Sequence, residues 1–142
     1  MNVDSFFMYA LRKSDAVKKL VSKRIFNTAR EEDDEKADKI PYCIVTFDGS
    51  EPSEDSKDDV FARPDRAKVS VLCVAVDRPK VVELVNAVMD AVQEQMEEGD
   101  YYDTYPEDPQ IAHVGCVLDA ADYDAFDKPA HFQWMHFSCE LN

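Results

Sequence analysis

Glycine is scarce in this sequence, with three residues among 142. Nucleotide sites built on glycine-rich loops place several glycines in one short segment, and neither the Walker nor the dinucleotide-binding pattern occurs. The nucleophile motif G-x-S-x-G and the calcium loop D-x-[DN]-x-[DN]-G are also absent. The acidic runs lack histidine, which is typical of a solvated acidic surface. We therefore expect no catalytic residues, no enzymatic activity and no cofactor.

Positive charge is also scarce, since 16 lysines and arginines stand against 30 aspartates and glutamates, for a net charge of −14. Such an excess repels phosphate backbones, so sequence-specific binding of nucleic acid is not expected. Apolar runs of transmembrane length are missing, and residues 1–10 lack the basic start of a secretory signal. We therefore expect synthesis in the cytoplasm and no membrane association.

The four cysteines are far apart in the sequence and lie within apolar, strand-like runs. They are Cys43, Cys73, Cys116 and Cys139. Cysteines in such surroundings are more often buried reduced thiols than disulfides, so we predict free thiols.

Two H-x-x-C spacings raise the question of a zinc site: His113 with Cys116, and His136 with Cys139. Both pairs fall on predicted strands, where residues three apart point to opposite faces, whereas a tetrahedral site needs all four side chains to converge. A hairpin register that buries the cysteines leaves both histidines outside. Its inward-facing residues would be Val114, Cys116, Leu118, Met135, Phe137 and Cys139. We therefore predict no metal site.

An apolar run over residues 67–76 predicts the central strand of the fold. Its distal half is apolar on both parities, which is typical of a strand covered on both sides. Asp77 and Pro79 suit the N-cap and first turn of a helix, and apolar residues then recur at helical spacing up to Gly99. The pattern predicts one long amphipathic helix over residues 79–98.

The N-terminal part predicts a helical segment over residues 4–22, in which Ser14 and Asp15 indicate a bend between two helices. Short strands are predicted over residues 23–28 and 41–48. The proline at position 41 stands at the start of its strand, where the hydrogen-bonded ladder tolerates it.

Residues 111–142 predict two closing strands with a polar connection around residues 124–129. The whole chain, residues 1–142, is therefore predicted to be a single α+β domain. Its mostly antiparallel sheet of about four to five strands would pack against the long helix and the N-terminal helical segment. Three charged or proline-containing segments are predicted to be mobile loops: 29–40, 49–64 and 99–110.

The last predicted strand carries different side chains on its two faces. Met135, Phe137, Cys139 and Leu141 form the core-like face. Phe132, Trp134 and His136 lie on the opposite face, which a sheet covered on one side would expose. Exposed aromatic clusters often mark a subunit interface, so we predict one here. The distal end of the central strand is a second candidate contact: Leu72, Val74 and Val76.

Basic residues concentrate near the N-terminus of an otherwise acidic chain. They are Arg12, Lys13, Lys18, Lys19, Lys23, Arg24 and Arg30. One interpretation is a solvated helix face. The other is an electrostatic docking patch for an acidic partner, including another copy of this chain, for which the candidates are the six residues from Arg12 to Arg24.

The order of these features resembles a known family. Residues 10–28 read A-L-R-K-S-D-A-V-K-K-L-V-S-K-R-I-F-N-T, and a P-Y-C-I-V strand follows at residues 41–45. This opening resembles the tail-completion, or tail-terminator, proteins of long-tailed bacteriophages and prophages. In that family a leucine-rich helix leads through a short second helix into an R-I-[FY] strand, which residues 24–26 match. The valine-rich strand, the long helix and the two closing strands extend the resemblance over nearly the whole chain.

The resemblance implies a non-enzymatic virion protein. Subunits of this kind assemble as a hexameric ring that caps the tail tube and joins it to the head connector, and DNA passes through the ring without being gripped. The expected partners are thus other copies of the chain, the tail-tube protein and the head-connector protein. The alternative is a cytosolic protein-binding adaptor that uses the exposed aromatic strand face or the acidic loops.

Overall fold

The computed structural model describes residues 3–27, 40–51, 65–119, 122–125 and 129–142. The described residues form four helices and six strands. The helices are α1 (Val3–Lys13), α2 (Asp15–Val21), α3 (Arg78–Glu98) and α4 (Tyr101–Thr104). The strands are β1 (Ile25–Asn27), β2 (Tyr42–Glu51), β3 (Arg66–Ala75), β4 (Ile111–Leu118), β5 (Asp122–Ala125) and β6 (Pro129–Leu141).

These strands form one sheet with β3 at its centre, in the order β1–β2–β3–β6–β4. The short β5 pairs with the beginning of β6, on the side away from β3. Strand β1 runs parallel to β2, and the other pairings described are antiparallel. The fold is a single α+β domain with a mostly antiparallel sheet, and the predicted fold class and central strand are confirmed.

The helices α1, α2 and α3 cover one face of the sheet, and the main core lies between the two layers. The register pairs Val69 with Phe137 and Val71 with Met135, and these four side chains are at most 2% exposed. Burying an apolar side chain of this size contributes about 1.5–3 kcal/mol. The predicted core face of β6 is therefore confirmed.

Local capping explains where the helices begin. The Asp77 carboxylate accepts a hydrogen bond of 2.9 Å from the backbone N–H of Lys80, and α3 starts at the next residue after Asp77. Ser14 Oγ accepts from the backbone N–H of Val17 at 3.2 Å and begins α2, so the predicted bend between two helices is confirmed. Caps of this kind contribute about 1 kcal/mol each. Within the described residues, no helix combines the length and apolar character needed to cross a membrane.

The predicted loop over residues 99–110 is wrong in its first half, where residues 101–104 form the short helix α4. Tyr101 is only 2% exposed. Its ring packs edge-on against Phe6 and Tyr9, with centroid distances of 5.4 Å and 5.2 Å. Aromatic packing onto α1 therefore orders a segment whose acidic composition predicts a loop.

The predicted loop over residues 49–64 begins too early, because β2 continues to Glu51. The pairing of β2 with β3 shifts register between Phe47 and Gly49. Gly49 has a φ of 127°, which a residue with a side chain rarely adopts, so glycine lets the strand continue past this irregularity. Residues 52–64 lie outside the described residues, as do residues 29–39 of the predicted loop 29–40.

The C-terminal part contains three strands where two are predicted, because residues 122–125, which overlap the start of the connection expected around residues 124–129, form β5. The register of β4 with β6 is the predicted one, pairing Val114 with Cys139 and Cys116 with Phe137. The expected burial of Leu118 is wrong, since this side chain is 47% exposed. Strand β4 lies at the sheet edge, where the helix layer covers it incompletely.

Candidate functional site

The outer face of the sheet, opposite the described helices, carries a second and smaller apolar cluster. Tyr42 and Val74 are buried at its centre. Five half-buried side chains pack against them: Phe26, Ile40, Ile44, Leu72 and Phe132. The cluster extends over β1, β2, β3 and β6, so this face is only partly covered by its own side chains.

Most of the predicted interface residues meet on this face. The register places Leu72 opposite Trp134 and Val74 opposite Phe132. Leu72, Trp134 and Phe132 are half-buried, whereas Val74 is 1% exposed because it packs within the small cluster. Val74 therefore has almost no surface of its own to offer a partner, contrary to the prediction. Val76 follows β3 and is 49% exposed.

A chain of four polar side chains crosses the outer face beside Trp134. Ser70 Oγ donates to the carboxylate of Asp48 and lies 2.9 Å from Nδ1 of His136. The other ring nitrogen, Nε2, lies 2.6 Å from Oδ2 of Asp119. Contacts at both nitrogens, from β3 and from the end of β4, hold the imidazole in one orientation.

Trp134 stacks on this oriented imidazole. The two rings are nearly parallel, at 8°, and their centroids are 6.1 Å apart in an offset arrangement. The polar chain thus fixes His136, and His136 in turn supports the indole. We refer to Phe132, Trp134, His136 and Leu72 as the aromatic face.

Ser70, His136 and Asp119 are the residue types of a nucleophilic triad, but their geometry favours a positioning role. Ser70 is 3% exposed, and its hydroxyl hydrogen is directed to Asp48 rather than to the imidazole. It also lies in the middle of β3, where a flat strand offers no sharp turn to present the oxygen. Sequence reasoning missed this chain, because only the register reveals which residue faces His136. The hint in the sequence was Ser70, a serine within the apolar run of residues 67–76.

The predicted basic patch is divided between two surfaces. Arg12, Lys13 and Lys18 line a cleft of about 810 Å³. Lys19 instead lines a separate cavity of about 290 Å³ beside Val76.

The side chains of the remaining two basic residues differ in how free they are to bind a partner. Lys23 is exposed. The Nε of Arg24 donates a hydrogen bond of 2.7 Å to the backbone carbonyl of Pro41, so part of this guanidinium serves the fold. The six residues therefore do not form one continuous patch.

Tyrosines, which the sequence analysis did not single out, form one wall of the cleft. Tyr9, Tyr101 and Tyr105 pack against each other with centroid distances between 5.0 and 6.3 Å. The ammonium group of Lys13 lies 5.2 Å from the centre of the Tyr9 ring and 3.3 Å from Oδ2 of Asp100. These contacts, with Tyr9 first and Asp100 second, raise the pKa of Lys13 above its ordinary value.

Carboxylates partly neutralise the positive charge of the cleft. Asp4 accepts a hydrogen bond of 2.8 Å from the side chain of Asn27, and Asp108 accepts one from the hydroxyl of Tyr101. Both acids line the cleft together with the three basic residues. The cleft is therefore amphoteric with an aromatic wall, rather than simply basic.

The two H-x-x-C pairs do not converge. His113 is exposed and opposite Glu140, whereas Cys139 is buried on the other face of β6. Across the described part of the chain, no group of three or more histidine, cysteine, aspartate or glutamate side chains is arranged to hold a metal ion.

The four cysteines are free thiols, as predicted. Burial raises the pKa of Cys139 to about 12, and it also raises the pKa of the half-buried Cys116. Contact with Cys43 and then burial raise the pKa of Cys73. Cys73, Cys116 and Cys139 are therefore poor nucleophiles in the folded chain.

Neither the models of known protein families nor the curated proteins gave a match to this sequence.

Proposed function

We propose that this chain is a structural protein of a phage or prophage tail, which completes the tail through ring-like assembly and joins the tail tube to the head connector. The observation that carries the proposal is the aromatic face. Trp134 and Phe132 lie half-buried on a sheet surface that no described helix covers, and a polar chain holds the histidine beside the indole. Pre-oriented aromatic side chains of this kind are typical of protein contact surfaces.

The strands that carry the family resemblance support the proposal, because they contact each other directly. Arg24 precedes β1 and Pro41 precedes β2, and the Arg24 side chain donates to the Pro41 carbonyl at 2.7 Å. The backbone carbonyl of Arg24 also accepts from the N–H of Cys43 at 3.0 Å. The R-I-F and P-Y segments thus act as one structural unit, which is a reason for them to occur together in a family.

Electrostatics are compatible with a ring through which DNA passes. A net charge of −14 makes most of the surface repel phosphate, so a lumen built from it would not retain a genome. The cleft presents three basic residues, Arg12, Lys13 and Lys18, beside two acids, so a neighbouring copy could meet it through charges of both signs. A head-to-tail contact between unlike surfaces is what a closed ring requires. In this proposal the chain is made in the bacterial cytoplasm and becomes part of the virion.

The decisive experiment measures the mass of the purified chain alone and after mixing with tail-tube and head-connector proteins of the same phage or prophage. We expect a ring-sized species that binds one end of the tube, visible by sedimentation and electron microscopy. The variant Trp134→Ala should remain folded and fail to assemble, whereas Tyr105→Ala, an exposed aromatic outside the aromatic face, should assemble. A strict monomer that never binds tube or connector proteins would exclude the proposal.

The second candidate is a protein-binding adaptor without catalytic activity. The cleft favours it, because about 810 Å³ lined by tyrosines, three basic residues and two acids could receive a peptide with side chains of both charges. An adaptor would remain monomeric beside tail proteins. It would also lose its partner when Tyr105 or Arg12 is replaced, rather than when Trp134 is.

A further inference from the structure

Strand β4 lies at one edge of the sheet and lacks the features that usually protect such an edge. Its eight residues, Ile111–Leu118, include no lysine, arginine, aspartate, glutamate or proline. In the described part of the chain, no strand pairs with β4 on the side away from β6. A register shift between Ile111 and His113 disturbs only the start of the strand. Among the described residues, the backbone N–H and C=O groups along the rest of this edge pair with no second strand, and such groups are a template for pairing with another chain.

An apolar groove lies beside this edge. It has a volume of about 390 Å³ and separates β4 from α3. Most of its lining is apolar and includes Met89, Val92, Met96, Val114, Cys116 and Phe137. Glu97 and His113 also line it. At the end of β4 the side chains of Val117 and Leu118 are 66% and 47% exposed. Both the backbone and the side chains of this edge are therefore open to a partner.

The flank of α3 nearest this groove is uncharged over most of its length. Four of its exposed residues recur at helical spacing and carry no charge: Val82, Asn86, Met89 and Gln93. At its C-terminal end Glu97 also lines the groove, and its carboxylate accepts a hydrogen bond of 3.1 Å from the side chain of Gln93. The acidic residues of the same helix occupy the adjoining stripe instead: Glu83, Asp90, Glu94 and Glu98. In a chain with 30 acidic residues, most of this flank is thus poor in carboxylates. We call β4 together with the four uncharged α3 residues the β4 strip.

Gly115 adds a separate observation in the middle of β4. A Cβ built at this position meets no atom within 4 Å, and its backbone conformation is one that other residues adopt. The fold of the single chain therefore does not require glycine here. A glycine inside a strand often marks a place where another backbone or ligand approaches closely.

We propose that the β4 strip is a self-association site, in which β4 pairs antiparallel with β4 of a second copy across a two-fold axis. The sheet would continue through both copies, and the two α3 flanks would meet over the groove. An antiparallel pair of identical strands is self-complementary, as an isologous contact must be. This proposal is independent of the ring, whose contacts use other surfaces.

Charge selects a second copy as the occupant. Two chains of net charge −14 repel each other, so they meet most easily where both surfaces carry few carboxylates. The β4 strip matches itself in this respect, because β4 carries no charged residue and Glu97 lies at the end of the α3 flank. Because the attraction is apolar and the repulsion is between net charges, the dimer should become tighter as salt screens that repulsion. A contact between basic and acidic surfaces would become weaker instead.

The test is sedimentation equilibrium of the full chain. We expect a reversible dimer whose affinity rises between about 0.05 M and about 0.5 M sodium chloride. Val117→Glu places a carboxylate on the strip and should weaken dimerisation at least about tenfold without changing the melting temperature. The matched control is Val76→Glu, a change of similar chemistry at an exposed valine outside the strip, which should leave the dimer constant within about twofold.

Met89→Glu provides a second variant, on the helix side of the strip, and should also give monomers. The proposal is overturned if the wild-type chain is monomeric at about 100 µM, a concentration at which a weak dimer still forms. Dimerisation that weakens with salt would overturn it as well, since this is the response of a contact between opposite charges. Equal effects of the two valine substitutions, or binding of an unrelated protein strand by a chain that stays monomeric, would have the same consequence.

Discussion

The hydroxyl of Tyr9 donates a hydrogen bond of 2.8 Å to Oδ1 of Asp100, across 91 positions in the sequence. Oδ2 of the same carboxylate lies 3.3 Å from Nζ of Lys13. Tyr9 and Lys13 belong to α1, whereas Asp100 lies between α3 and α4. One carboxylate therefore joins the beginning of the chain to the end of the long helix. It also positions Tyr9, which forms part of the wall of the cleft.

Replacing this carboxylate should destabilise the chain in a pH-dependent manner. The hydrogen bond from Tyr9, followed by that from Lys13, lowers the pKa of Asp100, so its contribution is present above about pH 4 and is lost as the pH falls through the folded value. The pKa of Lys13 is raised, so its contribution is present below about pH 10 and is lost at higher pH. We expect Asp100→Asn to lower the melting temperature most between about pH 5 and pH 9.

The control for this comparison is Asp103→Asn, which removes an exposed carboxylate in α4. Calorimetry of both variants across the pH range separates the specific contact from a general loss of negative charge. A melting temperature that changes equally in the two variants would contradict the assigned role of Asp100.

The buried Tyr101 should ionise only under strongly alkaline conditions. Burial, and then the hydrogen bond to Asp108, raise the pKa of Tyr101 well above its ordinary value. The raised pKa means that the folded chain favours the neutral phenol. The contribution of Tyr101 to stability is therefore fully present below about pH 10 and is lost at higher pH, where the unfolded chain ionises first. Ultraviolet titration of the six tyrosines should show delayed ionisation that disappears in denaturant. Tyr101→Phe should cost about 1.5 kcal/mol in urea unfolding, against about 0.5 kcal/mol or less for the exposed Tyr105→Phe.

The regular part of this fold is readable from local sequence. Asp77, Pro79 and the apolar period of α3 specify a helix within a residue of the observed bounds, because capping and amphipathicity act over a few residues. The opposite parities of β6 likewise predict which side chains enter the core. Local signals fail where order comes from distant partners. Tyr101 lies in an acidic, proline-containing segment, and only the rings of α1 make it a buried residue.

The candidate surfaces likewise combine features that local sequence predicts with features that depend on distant residues. Alternation along β6 places Trp134 and His136 on one face, which the structure retains. It gives no information on what lies across the sheet, so the contacts of His136 with Ser70 and Asp119 could not be predicted without the register. The prediction for Val74 fails for a related reason. This residue lies on the outer face as expected, but neighbouring side chains bury it, so it is not exposed to a partner.

The rate at which each thiol reacts should show how completely the helices cover the edge of the sheet. Cys116 is half-buried beside the groove of β4, whereas Cys43, Cys73 and Cys139 are at most 1% exposed. In a dilute native sample we expect a thiol reagent to modify one cysteine slowly, and all four after unfolding. Mass spectrometry should place the native modification at Cys116, and Cys116→Ser should abolish it. Native labelling of Cys139, whose pKa is raised to about 12, would contradict this burial pattern.

The single tryptophan provides a probe of the polar chain, because Trp134 stacks on His136 and Ser70 helps to hold that ring. Ser70→Ala removes the hydroxyl that contacts both Asp48 and His136, leaving the imidazole nitrogen without its protein partner. We expect a cost of about 1–3 kcal/mol and a change in native tryptophan emission as the stack loosens.

Two further variants separate this effect from a general one. Ser70→Thr keeps the hydroxyl and should preserve the native emission. Ser138→Ala removes an exposed hydroxyl from the same strand as Trp134 and should change stability by no more than about 0.5 kcal/mol. Urea unfolding followed by fluorescence measures both quantities in one experiment. Unchanged emission in Ser70→Ala would mean that the imidazole keeps its orientation through Asp119 alone, and the aromatic face would then not depend on the buried serine.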